Sequence, residues 1–170
     1  MKRLLILLTA IAALAVMLTL ALGAGASSDK RFLLSWRGSF TGTNSGAGTF
    51  AVGGALSDSG TFDATFTATP GKDNCAVVVG DETFTSTNGA FSANFSGLSC
   101  PASPTDPRAP FDGHFTITGG SGAYTGLSGK GTITSLADFS DGTFTGVHDG
   151  TAHFASSQSS HTQSEVVEFD

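Results

Sequence analysis

Charge is scarce in this chain. Eight lysines and arginines stand against fourteen aspartates and glutamates, and the charged residues make up 13% of the sequence. Past Lys2 and Arg3 no basic cluster occurs, which excludes nucleic acid and anionic lipid surfaces as partners. The excess of acid serves solubility, and the polar surface must come mainly from Ser, Thr, Asn and Gly. Tryptophan and tyrosine occur once each, too few for the aromatic girdles of an outer-membrane barrel. Beyond the first residues no segment has the periodicity of an amphipathic helix. The two cysteines, Cys75 and Cys100, lack the Cys-x-x-Cys spacing of a redox site. No Gly-x-Ser-x-Gly elbow lies between a strand and a helix. The four histidines, His114, His148, His153 and His161, have no metal-ligand spacing, so neither a metal nor another cofactor is expected.

The N-terminus is different. Met1-Lys2-Arg3 precedes an apolar run from Leu4 to Leu22, which ends in Gly23-Ala24-Gly25-Ala26. A positive start, an apolar stretch and small residues at an Ala-x-Ala site are the parts of a secretory signal. The expected division is a signal segment over 1–26 with cleavage after Ala26, one domain over 27–155, and a polar tail over 156–170. An uncleaved anchor is the competing reading, because the run is nearly long enough to span a bilayer. Either way the domain is expected outside the cytoplasm, secreted or in the cell envelope, with no membrane contact once the signal is removed. In that compartment an even cysteine count implies a Cys75–Cys100 disulfide.

What the chain has in quantity is Gly, Thr, Ser and Phe. A loose repeat runs through it, as in Gly38-Ser39-Phe40, Gly48-Thr49-Phe50, Gly60-Thr61-Phe62, Gly89-Ala90-Phe91, Gly113-His114-Phe115 and Gly142-Thr143-Phe144. Each copy reads as a strand start followed by alternation. Phe32, Leu34, Trp36 and Phe40 share one face of a first strand, with Leu33 on the wrong face. Later strands read large, polar, small, polar, large: Phe62 to Phe66, Phe91 to Phe95, and Phe111 to Phe115. Successive side chains point to opposite faces, so the rings face one way and the polar groups, Asp63 and Asp112 among them, the other. Alternating bulky and small interior residues suit a narrow closed barrel. The fold class expected is therefore all-β, a single antiparallel β-barrel of about eight strands. Asn88-Gly89, Asp141-Gly142 and Asp149-Gly150 read as hairpin turns, and the proline-rich stretch from Pro101 to Pro110 reads as a loop.

One stretch goes beyond generic β sequence: Phe115-Thr116-Ile117-Thr118-Gly119-Gly120-Ser121-Gly122-Ala123-Tyr124, continuing to Gly129-Lys130-Gly131. A strand entering Gly-Gly-(Ser/Thr)-Gly, one residue and an aromatic resembles the signature of the allene oxide cyclase barrel and dirigent-like proteins, bacterial exported relatives included. Ser121 stands where those proteins usually carry Thr. The resemblance implies an eight-stranded barrel with an apolar interior. Read locally, the glycines allow positive φ and a tight strand connection, and Tyr124 can pack over the end of the barrel. It implies a cyclase or isomerase as one activity, and a homo-oligomer as one assembly, since some members form trimers. The functional carboxylates of those proteins have no assignable counterpart here.

Two classes of function follow. The first is a non-catalytic barrel that binds a small apolar or aromatic ligand inside, or a partner on its surface. Ligand-binding candidates are the inward Phe62, Phe66, Phe91, Phe95 and Phe115, with Tyr124. The second is a cyclase or isomerase that folds a flexible lipid-like substrate, which calls for an ionisable residue at inward parity. His148 shares parity with Phe144 and Gly146 and is the catalytic candidate, expected near the barrel mouth before the Asp149-Gly150 turn. His114 and His153 are expected to face outward. With a single weak candidate, the residues favour binding over catalysis. A passive envelope or surface component is the third reading.

Overall fold

The computed structural model describes residues 29–155. The signal segment expected over 1–26 and the polar tail expected over 156–170 lie outside them. Eight strands follow in order: β1 Lys30–Gly42, β2 Ser45–Gly54, β3 Asp58–Pro70, β4 Ala76–Ser86, β5 Gly89–Ser99, β6 Arg108–Gly122, β7 Leu127–Asp138 and β8 Thr143–Phe154. Each pairs antiparallel with the next, and β1 pairs with β8, so the sheet is a closed barrel. The seam brings Lys30 opposite Ala152 and Ser39 opposite Thr143.

Alternation does the folding. On β1, Phe32, Leu34 and Trp36 are buried while Arg31, Ser35 and Arg37 are exposed. Phe62, Phe91, Phe111 and Phe115 point inward, and Asp63, Asn94, Asp112 and His114 point out. Burying a ring of this size stabilises by roughly 1.5–3 kcal/mol, so one register wins decisively. Leu33 stays exposed on the outer wall. The rings need room, and inward glycines supply it. A Cβ at Gly146 would stand 2.3 Å from the Trp36 ring, and one at Gly80 would stand 2.5 Å from the Phe95 ring. Gly113, in the middle of its Phe-Gly-Phe strand, yields its space to Phe111 in the same way. The Gly-Phe repeat is thus a packing device, with rings lying over a bare backbone on their own or a neighbouring strand.

The barrel has two unlike ends. The connections at 55–57, 87–88 and 123–126 lie at one end, and those at 43–44, 71–75, 100–107 and 139–142 at the other. At the first end Leu56, Tyr124 and Leu127 are buried against the core. Gly119 to Gly122 form the last residues of β6 and are not themselves the turn, which follows at 123–126. Gly122 adopts φ 62° at the strand's exit, a conformation glycine takes without steric cost. The Asp149-Gly150 pair is no turn either. It lies inside β8, where Asp149 opposes Leu33 on one side and Thr132 on the other. A ladder on both flanks overrides the local turn preference of the dipeptide. Cys75 and Cys100 form a disulfide, which ties the 71–75 turn to the proline-rich loop at the second end.

Candidate functional site

The second end is open. A cavity of about 300 Å³ enters there and runs down the barrel interior. That is the lower bound of ordinary ligand pockets and room for about ten water molecules at liquid density. Its walls are apolar: Phe62, Phe66, Phe95, Phe111, Ile133 and Phe144. Small residues leave the space. Ala64 and Ala68 on β3, Ala76 on β4 and Ala137 on β7 sit where the other half of the barrel carries rings. At the rim Phe40 and Phe139 stack 5.2 Å apart, and Asn74 and Pro101, each next to a bridged cysteine, complete the lip.

The floor is polar at one point. Glu82 lines the cavity with 3% of its surface exposed, and among the described lining residues it alone is ionisable. Behind it His148 is 2% exposed. Its ring packs against Phe115 at 4.6 Å and Phe84 at 5.7 Å. The Trp36 indole Nε1–H donates to His148 Nδ1 at 3.0 Å. Indole nitrogen can only donate, so Nδ1 is an acceptor and the ring proton sits on Nε2. That nitrogen lies 2.9 Å from Glu82 Oε2. The two atoms stand off the hydrogen-bond direction, and neither has another hydrogen-bond partner among the described residues. The contact is therefore a close electrostatic one. Buried polar groups are nearly always satisfied, and this floor is an exception inside a shell of rings.

His148 thus lies mid-barrel beneath the cavity, not at its mouth, because the expected Asp149-Gly150 turn is continuous strand. Of the ligand-binding candidates, Phe62, Phe66 and Phe95 line the cavity. Phe91, Phe115 and Tyr124 pack in the filled half and do not. Glu82 went unnoticed in the sequence, where Asp81-Glu82 reads as a solvated acidic pair after Val77-Val78-Val79. The signal was there in Gly80-x-Glu82-x-Phe84, which puts the carboxylate on the parity of an interior glycine and an interior ring.

Two further polar clusters stand apart from the cavity. At the closed end Asp58 accepts from Ser86 Oγ at 2.6 Å, from Asn88 Nδ2 at 3.2 Å, from the Ser59 amide at 2.8 Å and from the Tyr124 hydroxyl. These donors, Ser86 first and Tyr124 next, hold its carboxyl well below the usual carboxylate range. Burial, followed by the bond to Asp58, pushes the Tyr124 phenol up to about 12. On the outer wall His153 Nδ1 lies 2.9 Å from Asp29 and its Nε2 lies 2.9 Å from Ser128 Oγ. The order is that of a Ser-His-Asp triad, but the residues stand on the outer face of the ladder and none of them lines the cavity. His114 is exposed and outward. Among the described residues no three His, Cys, Asp or Glu side chains converge as metal ligands, and no helix is long and apolar enough to cross a membrane.

Fold and site together define a closed eight-stranded antiparallel barrel with a one-ended apolar cavity over a buried carboxylate. Compared with protein families, curated proteins and solved structures, the chain matches none.

Proposed function

We propose that this is an exported binding protein that takes a small, largely apolar molecule into the open half of its barrel. The observation that carries this is the cavity of about 300 Å³, ring-walled and open at the disulfide-linked end. Ligand pockets are mostly apolar with a few placed polar groups, and Glu82 is such a group. The apolar run at Leu4 to Leu22 with its Ala-x-Ala site, together with the disulfide, supports a location outside the cytoplasm. Titration with the neutral fluorophore N-phenyl-1-naphthylamine tests the reading. Saturable one-to-one binding is expected, lost in Ala137→Trp, which fills the cavity near its rim. Absence of saturable binding to the natural chain would refute it.

A second reading, a cyclase or isomerase of the kind the allene oxide cyclase resemblance implies, is favoured by one observation. A carboxylate within reach of a cavity-bound substrate can act as a general base, and the apolar walls can fold a flexible chain into a reactive shape. Turnover abolished by Glu82→Gln, with ligand uptake retained, would favour this reading over simple binding.

A further inference from the structure

We propose that the molecule held in this cavity is an apolar amine, bound through its protonated nitrogen at Glu82. The inference rests on the binding function proposed above and names the ligand class. It starts from a buried carboxyl group with no lysine or arginine beside it. All six lysines and arginines of the described residues, Lys30, Arg31, Arg37, Lys72, Arg108 and Lys130, are exposed on the outside of the barrel or its connections. None reaches the interior where Glu82 is buried.

The one candidate for a cation inside is His148, and its hydrogen bond to Trp36 denies it that role. A doubly protonated ring would need a proton on Nδ1, where the indole N–H already points. While that bond stands, His148 is neutral. It presents Nε2–H to Glu82 Oε2 across 2.9 Å in poor alignment. The neighbours of Glu82 across the ladder, Ala64 and Ala93, offer nothing polar. Asn74, Ser99 and Ser135, the other polar residues of the lining, are uncharged.

A carboxylate out of water is costly unless it is paired. An ammonium group entering from the open end supplies the missing pair and its N–H donors together. The surroundings favour the same ligand. Aromatic faces attract cations, and the floor beside Glu82 includes the Trp36 and Phe62 rings. An apolar body then fills the space above, between Phe66, Phe95 and Phe111. Glu82 lies six steps along β4 from the lip at Ala76, about 20 Å of strand before tilt. A phenyl ring on a short alkyl chain fits that depth.

Three probes of one skeleton test this on the purified, disulfide-bonded protein at pH 7: 4-phenylbutylamine, 4-phenylbutan-1-ol and 4-phenylbutanoate. Trp36 is the only tryptophan of the chain and lines the floor, so its fluorescence reports occupancy, with calorimetry as the second measure. The amine is expected to bind at least tenfold more tightly than the alcohol, and the carboxylate more weakly than both. In the isosteric Glu82→Gln variant the amine's advantage should vanish while the alcohol keeps its affinity. Equal binding of amine and alcohol to the natural protein would overturn the charge inference and leave the binding function standing, as for a floor that holds a neutral acid. A preference that survives Glu82→Gln would also overturn it. If no probe binds and N-phenyl-1-naphthylamine does not bind either, the binding function itself fails.

Discussion

At the closed end of the barrel nearly every inward position on β1, β2, β4 and β6 carries a large side chain: Phe32 and Leu34, Phe50 and Val52, Phe84, Phe115 and Ile117. At the open end the same sheet continues with Ala64, Ala68, Ala76 and Ala137 between its rings. Strand number, pairing and hydrogen bonds are alike in the two halves. Side-chain volume at inward positions differs, and it separates a filled plug from a vessel. Closure at the two ends differs as well. Tyr124, Asp58, Ser86 and Asn88 lock the plug with side-chain hydrogen bonds, whereas at the lip a disulfide joins the 71–75 turn to the 100–107 loop. The comparison teaches that stability and binding are divided along the barrel axis, and that each can be attacked separately.

Truncating a ring in the plug should have the largest effect. Phe91→Ala is expected to lower unfolding free energy by about 3–5 kcal/mol with little change in the cavity. Phe66→Ala, whose ring is half-buried in the vessel wall, should cost about 1 kcal/mol and instead weaken ligand uptake. Denaturant unfolding of both variants beside probe titration checks the division, and equal stability losses would break it. Next comes the lip. Replacing Cys75 and Cys100 together by Ser opens a loop with a sequence separation of 25, an expected loss of about 3.5 kcal/mol on the chain-entropy model. Unlike Phe91→Ala, this change should also raise probe dissociation rates, read by stopped-flow fluorescence.

The lock on the plug is titratable at both extremes. The Asp58 carboxyl lies below its ordinary range in the folded chain, so its contribution is present above the usual carboxylate value and is lost as pH falls through the folded value. The Tyr124 phenol lies above its ordinary value of about 10, at about 12. Its contribution therefore holds below pH ~10 and disappears as pH rises towards ~12. Tyr124→Phe should flatten both limbs of a stability–pH curve measured by thermal unfolding and leave probe binding at neutral pH unchanged. The smallest effect belongs to the wall outside. Arg31 and Asp149 pair at 2.6 Å, but the Arg31 side chain is 79% exposed, and such pairs are screened by water and salt. Arg31→Ala should leave the urea midpoint within error at high salt.

The barrel was legible in the sequence because its evidence was redundant. Phe62, Phe91 and Phe111 each open a five-residue pattern of one parity, and a slip of one residue in any strand would expose every ring it carries. The site was legible only in part. Phe62, Phe66 and Phe95 declared themselves as inward, but sequence parity cannot tell which inward positions face space and which face other rings. That depends on their height along the axis, hence on register and shear. Glu82 was masked because β4 carries valines on both faces. Val77 and Val79 stand in solvent, and an acidic pair after such a run has no obvious inside. His148 had the right parity and the wrong depth, because Asp149-Gly150 carries a turn signal that pairing on both sides overrides.

The seam between β1 and β8 has a temporal consequence. Phe32 finds its partner Gly150 only after 117 residues have been laid down between them, so no shorter piece of the chain can be a finished barrel. Until the last strand arrives, β1 and β7 are raw edges, each able to recruit another chain. Closure over so long a separation belongs to the slow, non-local class of folding reactions, of order milliseconds to seconds. A chain released without its final strand would be left as an open, sticky ribbon.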